Sequence, residues 1–188
     1  MGRRPWTVRR PAHAWPDPDQ ELLLRAALLP AGEAHSAWRQ LRPRLRLDRV
    51  DPGSQRLLPL LWAQLTRLGI DDPLVDRLHD AYGRTVARNA ILFRRAARVL
   101  RTLGDAGIEA LVLKGAALAL AYYGDPGLRP MADLDVLVRP GAAAVASDVL
   151  RRCGWSADRA VTPGYLAVTH AETFRDPGRR KCDLHWRL

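Results

Sequence analysis

The sequence predicts an α+β chain, with a helical N-terminal half followed by a small mixed sheet flanked by helices. Three observations predict it. Between residues 17 and 104 the leucines recur at helical spacing between breaks marked by proline and glycine. At Ile108 the texture changes to short apolar runs bounded by glycine- and proline-containing turns. Asp133-Leu134-Asp135-Val136-Leu137-Val138 then alternates with period two, as a strand with one buried face does.

Residues 1–16 are rich in Arg, Pro and Trp without a period and are expected to form a flexible basic tail. Asp17-Pro18-Asp19-Gln20 opens a helix: Asp17 can cap it, Pro18 suits the first turn and Gln20 completes a capping box. This helix runs to Leu29 and ends at Pro30-Ala31-Gly32. A second covers roughly Glu33 to Leu41. A third spans about Ser54 to Leu68 with Leu57, Leu58, Leu61, Leu65 and Leu68 on its face, and Pro59 has to sit near its first turn. Asp72-Pro73 starts the longest helix, which continues to about Leu103 and stops at Gly104 and Gly107.

Ile108 to Leu113 reads as a short buried strand, Lys114-Gly115 as a turn and Ala116 to Tyr123 as a helix. A loop with two prolines and two glycines leads to the alternating strand 133–138. Ala142 to Arg152 is helical, Gly154 to Arg159 a further strand, and Lys181 to Leu188 the last strand. Residues 160–180 are ambiguous apart from a start at Thr162-Pro163-Gly164 and a turn at Asp176-Pro177-Gly178. The expected organisation is a tail (1–16), a helical region (17–104) and a mixed core (105–188).

Composition bounds the function. A chain of 188 residues with 47% hydrophobic residues can bury a core, which excludes wholesale disorder. No apolar run approaches the ~18 residues of a membrane span. Two cysteines, Cys153 and Cys182, exclude a disulfide scaffold. Arg3-Arg4 and Arg9-Arg10 are followed by Pro11 to Gln20 rather than by an apolar core, so the expected compartment is the cytoplasm. The formal charge of +10 favours polyanionic partners such as nucleic acid or nucleoside triphosphates, and a solvated arginine-rich surface fits it as well.

The densest chemical signal is Asp133-Leu134-Asp135. Residues two apart in a strand share a face, so both carboxylates project together and repel unless a cation joins them. Mg²⁺ prefers carboxylate oxygens plus substrate phosphates. Upstream, Lys114-Gly115 sits where a strand opens into a helix, and such a turn offers free N–H groups and a point charge to phosphates. Arg129 lies in the loop that presents the acids and can reach a phosphate or a carboxylate. Downstream, Asp183 and His185 share a face of the last strand; Asp183 can supply a third carboxylate, and His185 can orient it or contact substrate.

Taken together, Leu-Val-Leu-Lys114-Gly115, Leu118 and Tyr123, Leu128-Arg129-Pro130-Met131-Ala132-Asp133-Leu134-Asp135-Val136-Leu137-Val138, and Asp183-Leu184-His185-Trp186 resemble the bacterial uncharacterised nucleotidyltransferase family of the polymerase-β-like superfamily. The likeness covers about residues 75–188. It implies a nucleotidyltransferase-type sheet on which Asp133, Asp135 and Asp183 bind two Mg²⁺ ions. It also implies that Lys114 and Gly115 grip a nucleoside triphosphate, ATP among the candidates. The implied reaction moves a nucleoside monophosphate to an acceptor hydroxyl on a small molecule, a peptide or protein, or an RNA end. The alternative is a non-catalytic member that binds a nucleotide or partner. The superfamily's turn is Gly-Ser or Gly-Gly where this chain has Lys114-Gly115. The resemblance further implies a helical region beyond Trp186, against which this chain is expected to be either a C-terminally truncated core or a short natural variant.

Overall fold

The computed structural model describes residues 15–188, so the expected tail lies outside the described residues except for its last two. The described residues fall into two compact units that divide between Leu78 and His79, inside the longest helix.

In the first unit, α1 (Pro18–Leu28) begins as its sequence predicts. Asp17 Oδ1 accepts the Asp19 and Gln20 backbone N–H groups at 2.9 Å each, and the Asp17 N–H donates to Gln20 Oε1 at 2.9 Å. After α2 (Ala31–Leu41), a 3₁₀ turn at Ser54–Leu57 leads into α3 (Leu58–Arg67), whose Pro59 falls in the first turn, where no N–H is needed. Leu23, Ala34, Trp38, Leu41, Leu61 and Leu65 are buried and form the apolar interior. Trp38, 3% exposed, is the largest side chain of this interior.

The second unit takes most of α4 (Pro73–Asp105). Leu92, Ala96, Val99 and Leu103 recur every three or four residues and pack on one face of a five-stranded sheet. The helix ends as expected at Gly107, whose φ of +72° lets Ile108 N–H turn back to Leu103 C=O at 2.9 Å. The sheet consists of β1 (Ala110–Leu113), β2 (Asp133–Val138), β3 (Ser156–Ala157), β4 (Ala171–Arg175) and β5 (Lys181–His185). The strands lie in the order β1-β2-β5-β4-β3. Only β2 and β5 run parallel. The remaining helices are α5 (Lys114–Ala121), α6 (Ala143–Arg152) and α7 (Pro163–Val168). Among the described residues no helix is long and apolar enough to cross a membrane.

Two elements differ from expectation. α5 starts at Lys114, directly after β1, because the reversal is made at Lys114 itself with φ +49°. β4 falls in the segment that was ambiguous by sequence. Its inward positions are Glu172 and Phe174, 4% and 0% exposed, and a carboxylate facing inward erases the apolar alternation. Glu172 is satisfied by the Arg159 N–H at 2.8 Å and by the Tyr165 hydroxyl.

Candidate active site

β2 sets the site. Its alternation turns Leu134, Val136 and Val138 into the core, which leaves Asp133, Asp135 and Leu137 on the opposite face. Across the sheet, Leu113 of β1 is level with Asp135, Asp135 with Asp183 of β5, and Asp183 with Thr173 of β4. One row thus crosses four strands with two carboxylates at its centre. Asp133 is on the same face one pleat earlier, level with Lys181, and His185 is one pleat later, level with Leu137.

Each acid of the row is held by neighbours. Asp135, 5% exposed, accepts from Lys114 Nζ at 2.5 Å on Oδ1. His185 Nε2 lies 2.9 Å from the same oxygen and 3.5 Å from Lys114 Nζ. Asp183 Oδ1 accepts from Thr173 Oγ1 at 2.7 Å. The hydrogen bond to Asp135 raises the Lys114 pKa above the ordinary lysine value against partial desolvation, with Asp183 and Asp133 adding at longer range. A cavity of about 430 Å³ opens beside the row, and Lys114, Arg159, His170, Thr173, Asp183 and His185 contribute to its wall.

Asp133, Asp135, Asp183 and His185 are therefore on one face, with two differences from expectation. His185 meets Asp135 rather than Asp183, because it sits next to Lys114 above Asp135 while Thr173 takes Asp183. The turn's left-handed φ is carried by Lys114, and Gly115 instead packs on Met131, whose Cγ would stand 3.4 Å from an added Cβ. Cys182 and His185 point to opposite faces of β5, and Cys182 is turned into the core. Burial pushes the Cys182 thiol up to about 12.

Arg129 is set in place by Tyr123 and, through its loop, by residues that sequence reasoning missed. Its Nη1 donates to Tyr123 Oη at 3.3 Å, and its guanidinium carbon lies 5.4 Å from the centre of that ring. The loop beneath it is fastened to α4. Asn89, 1% exposed, donates to the carbonyls of Pro126 and Arg129 at 2.6 and 2.8 Å. Tyr82 donates to Asp125 Oδ2 at 2.8 Å, while Asp125 Oδ1 accepts the Gly127 N–H at 2.7 Å. A Cβ at Gly127 would collide with Tyr82 and Val86. Gly127→Ala is expected to lower stability by about 1–3 kcal/mol through overpacking, read as a drop in melting temperature. An unchanged melting curve would show that the loop is not clamped on α4.

The three carboxylates offer only oxygen, which suits a hard divalent cation. The Lys114 ammonium already stands among them as a cation, so this face is built to carry positive charge. Among the described residues no three acidic, histidine or cysteine side chains are gathered into a ready-made metal cage. On Asp135 Oδ1 the place of a cation is held by the Lys114 ammonium.

Two acids are thus in register on adjacent strands, with a third one pleat away and a strand-to-helix turn beside them. The chain belongs to the family described as uncharacterised nucleotidyltransferase, whose model matches residues 53–188. That match includes every element of the site and also α3. No curated protein and no solved structure matches the chain.

Proposed function

We propose that this protein is a Mg²⁺-dependent nucleotidyltransferase that moves a nucleoside monophosphate from a nucleoside triphosphate to an acceptor hydroxyl. The acceptor oxygen bonds to the α-phosphorus, the bond from that phosphorus to the bridging oxygen breaks, pyrophosphate leaves and the hydroxyl proton is lost. The observation that carries this reading is the Asp135–Asp183 register, within a chain of the nucleotidyltransferase family. Asp133, Asp135 and Asp183 would hold two Mg²⁺ ions, which when bound neutralise phosphate charge and lower the pKa of the acceptor hydroxyl.

The chain's own contribution is alignment and charge. Lys114, freed from Asp135, presents its ammonium to the triphosphate, and the start of α5 at Lys114-Gly115 presents N–H groups. Arg129, held over Tyr123, supplies a second cation at the mouth of β2. The cavity on the Asp183 side is the space for the acceptor, whether a small molecule, a peptide or protein, or an RNA end.

The test is incubation with each α-labelled nucleoside triphosphate and Mg²⁺, scoring pyrophosphate and labelled products against pools of RNA, protein and small molecules. Metal-dependent pyrophosphate release is expected, abolished by EDTA; its absence with all four triphosphates and every pool would overturn the reading. A second reading, a nucleotide-binding member without turnover, draws on the ammonium already seated on Asp135. It predicts triphosphate binding by calorimetry with no pyrophosphate in the same assay.

Thr173 gives a finer prediction. Its hydroxyl fixes Asp183, and loss of such an outer partner costs about 10–100-fold in activity or metal affinity. Thr173→Val should show that loss with a near-normal melting temperature, and Thr173→Ser should restore activity. Equal activity in the Val variant would mean that Asp183 needs no such support.

A further inference from the structure

A second charged feature lies on α4, away from the acid row. Residues 84–101 contain six arginines and no acid. At 3.6 residues per turn, Arg84, Arg88, Arg95 and Arg98 fall within about 80° of one another and extend over about 21 Å of helix. Arg84, Arg88, Arg94 and Arg98 are exposed. Among the described residues none of these four pairs with a carboxylate.

At one end this stripe runs into a cavity of about 550 Å³ between α4, α6 and the β4–β5 turn, with Arg94, Arg95, Arg98, Trp155, Asp176 and Gly178 on its wall. At Gly178 an added Cβ would meet Asp176 Oδ1 at 3.3 Å, Arg180 Nη1 at 3.6 Å and Arg95 Nη2 at 3.7 Å, so two guanidinium groups gather there beside a carboxylate. The one carboxylate there, Asp176, is buried and pairs with Arg95. Burial lowers the Arg95 pKa most, and the neighbouring charges of Arg180 and Arg98 lower it further. Guanidinium groups match phosphate through paired N–H donors, and a row of them along a helix matches a chain of phosphates better than a single anion.

We infer that the α4 arginine stripe and the cavity at its end bind the phosphodiester backbone of a single nucleic-acid strand. The cavity takes one phosphate and Arg84 and Arg88 take others further along. Nothing in this depends on nucleotidyl transfer, because the stripe uses none of the acid-row residues.

The test is fluorescence anisotropy with a labelled oligouridylate of about a dozen nucleotides across a KCl series, in EDTA so that metal chemistry is absent. The full-length chain should bind with a steep log–log salt dependence. Arg94→Ala with Arg98→Ala should weaken binding by about tenfold and flatten the slope by about 1.4, at ~0.7 per lost contact. Arg84→Ala with Arg88→Ala should weaken it as well. Arg39→Ala with Arg56→Ala removes the same charge from exposed positions of the first unit and should cost under about threefold. Asp135→Asn should bind as wild type, so success or failure here is separable from the transfer reading. Equal losses in the control pair, no loss on changing Arg94 and Arg98, absence of binding by the wild type, or equally tight binding of polyglutamate would each overturn the inference. So would displacement of the strand by inorganic phosphate at matched charge, which would mark a free-phosphate site instead.

Discussion

Asp135→Asn is expected to lower nucleotidyl transfer by at least about 10²–10³-fold while the protein still folds. Removing one preorganised charge from a transfer site typically costs that much. Asp135 is also the acid most tightly built in: it is 5% exposed, level with Asp183 and contacted by both Lys114 and His185. Asparagine keeps the shape and an oxygen that can still accept from Lys114, and Lys114 has a side chain 60% exposed that can turn to water. The melting temperature should therefore move by a few degrees at most. Pyrophosphate release by the purified variant in Mg²⁺ checks the point, and turnover near wild type would remove Asp135 from the chemistry. Asp183→Asn should behave alike, since Thr173 can keep its hydrogen bond to the amide oxygen.

How far the site was legible in the sequence depends on how local each signal is. The Asp17–Gln20 capping box and the alternation of 133–138 are read within six residues, and both are formed as read. Asp133, Asp135, Asp183 and Lys114 are visible as residue types suited to metal and phosphate. The register that brings Asp135 level with Asp183 is not visible, because it comes from parallel pairing between strands distant in the chain. β4 was hidden by its inward Glu172, and with β4 went Thr173, the residue that holds Asp183. Asn89 was hidden for a related reason. A polar residue inside an arginine-rich helix reads as surface, yet its amide carries the loop that bears Arg129. Buried polar groups are the places where composition and position disagree, and Glu172 and Asn89 are two such places.

Lys114→Met is expected to have opposite effects on metal binding and on transfer. In the metal-free protein the ammonium offsets the mutual repulsion of Asp133, Asp135 and Asp183. A divalent ion has to compete with it for Asp135 Oδ1, 2.5 Å away. Removing the ammonium removes the competitor, so Mn²⁺ should bind the nucleotide-free variant more tightly, by about 1 kcal/mol, or roughly five- to tenfold, after discounting for solvent screening of an exposed side chain. The same variant should melt lower than wild type in EDTA and gain more from added Mg²⁺, because the ion then supplies the only cation among the acids. Transfer should nevertheless fall, by about 10²-fold, since the triphosphate loses its point charge. Acidity cannot mimic the substitution. The Lys114 pKa is raised, so its stabilising effect is complete below the ordinary value of 10.5 and is lost only as pH rises through the higher folded value. Across neutral pH the ammonium stays charged, and nucleotide or metal, not a proton, has to move it. Mn²⁺ titration followed by electron paramagnetic resonance, beside the pyrophosphate assay, separates the two effects. Weaker Mn²⁺ binding in the variant would mean that Lys114 assists the metal rather than standing in its place.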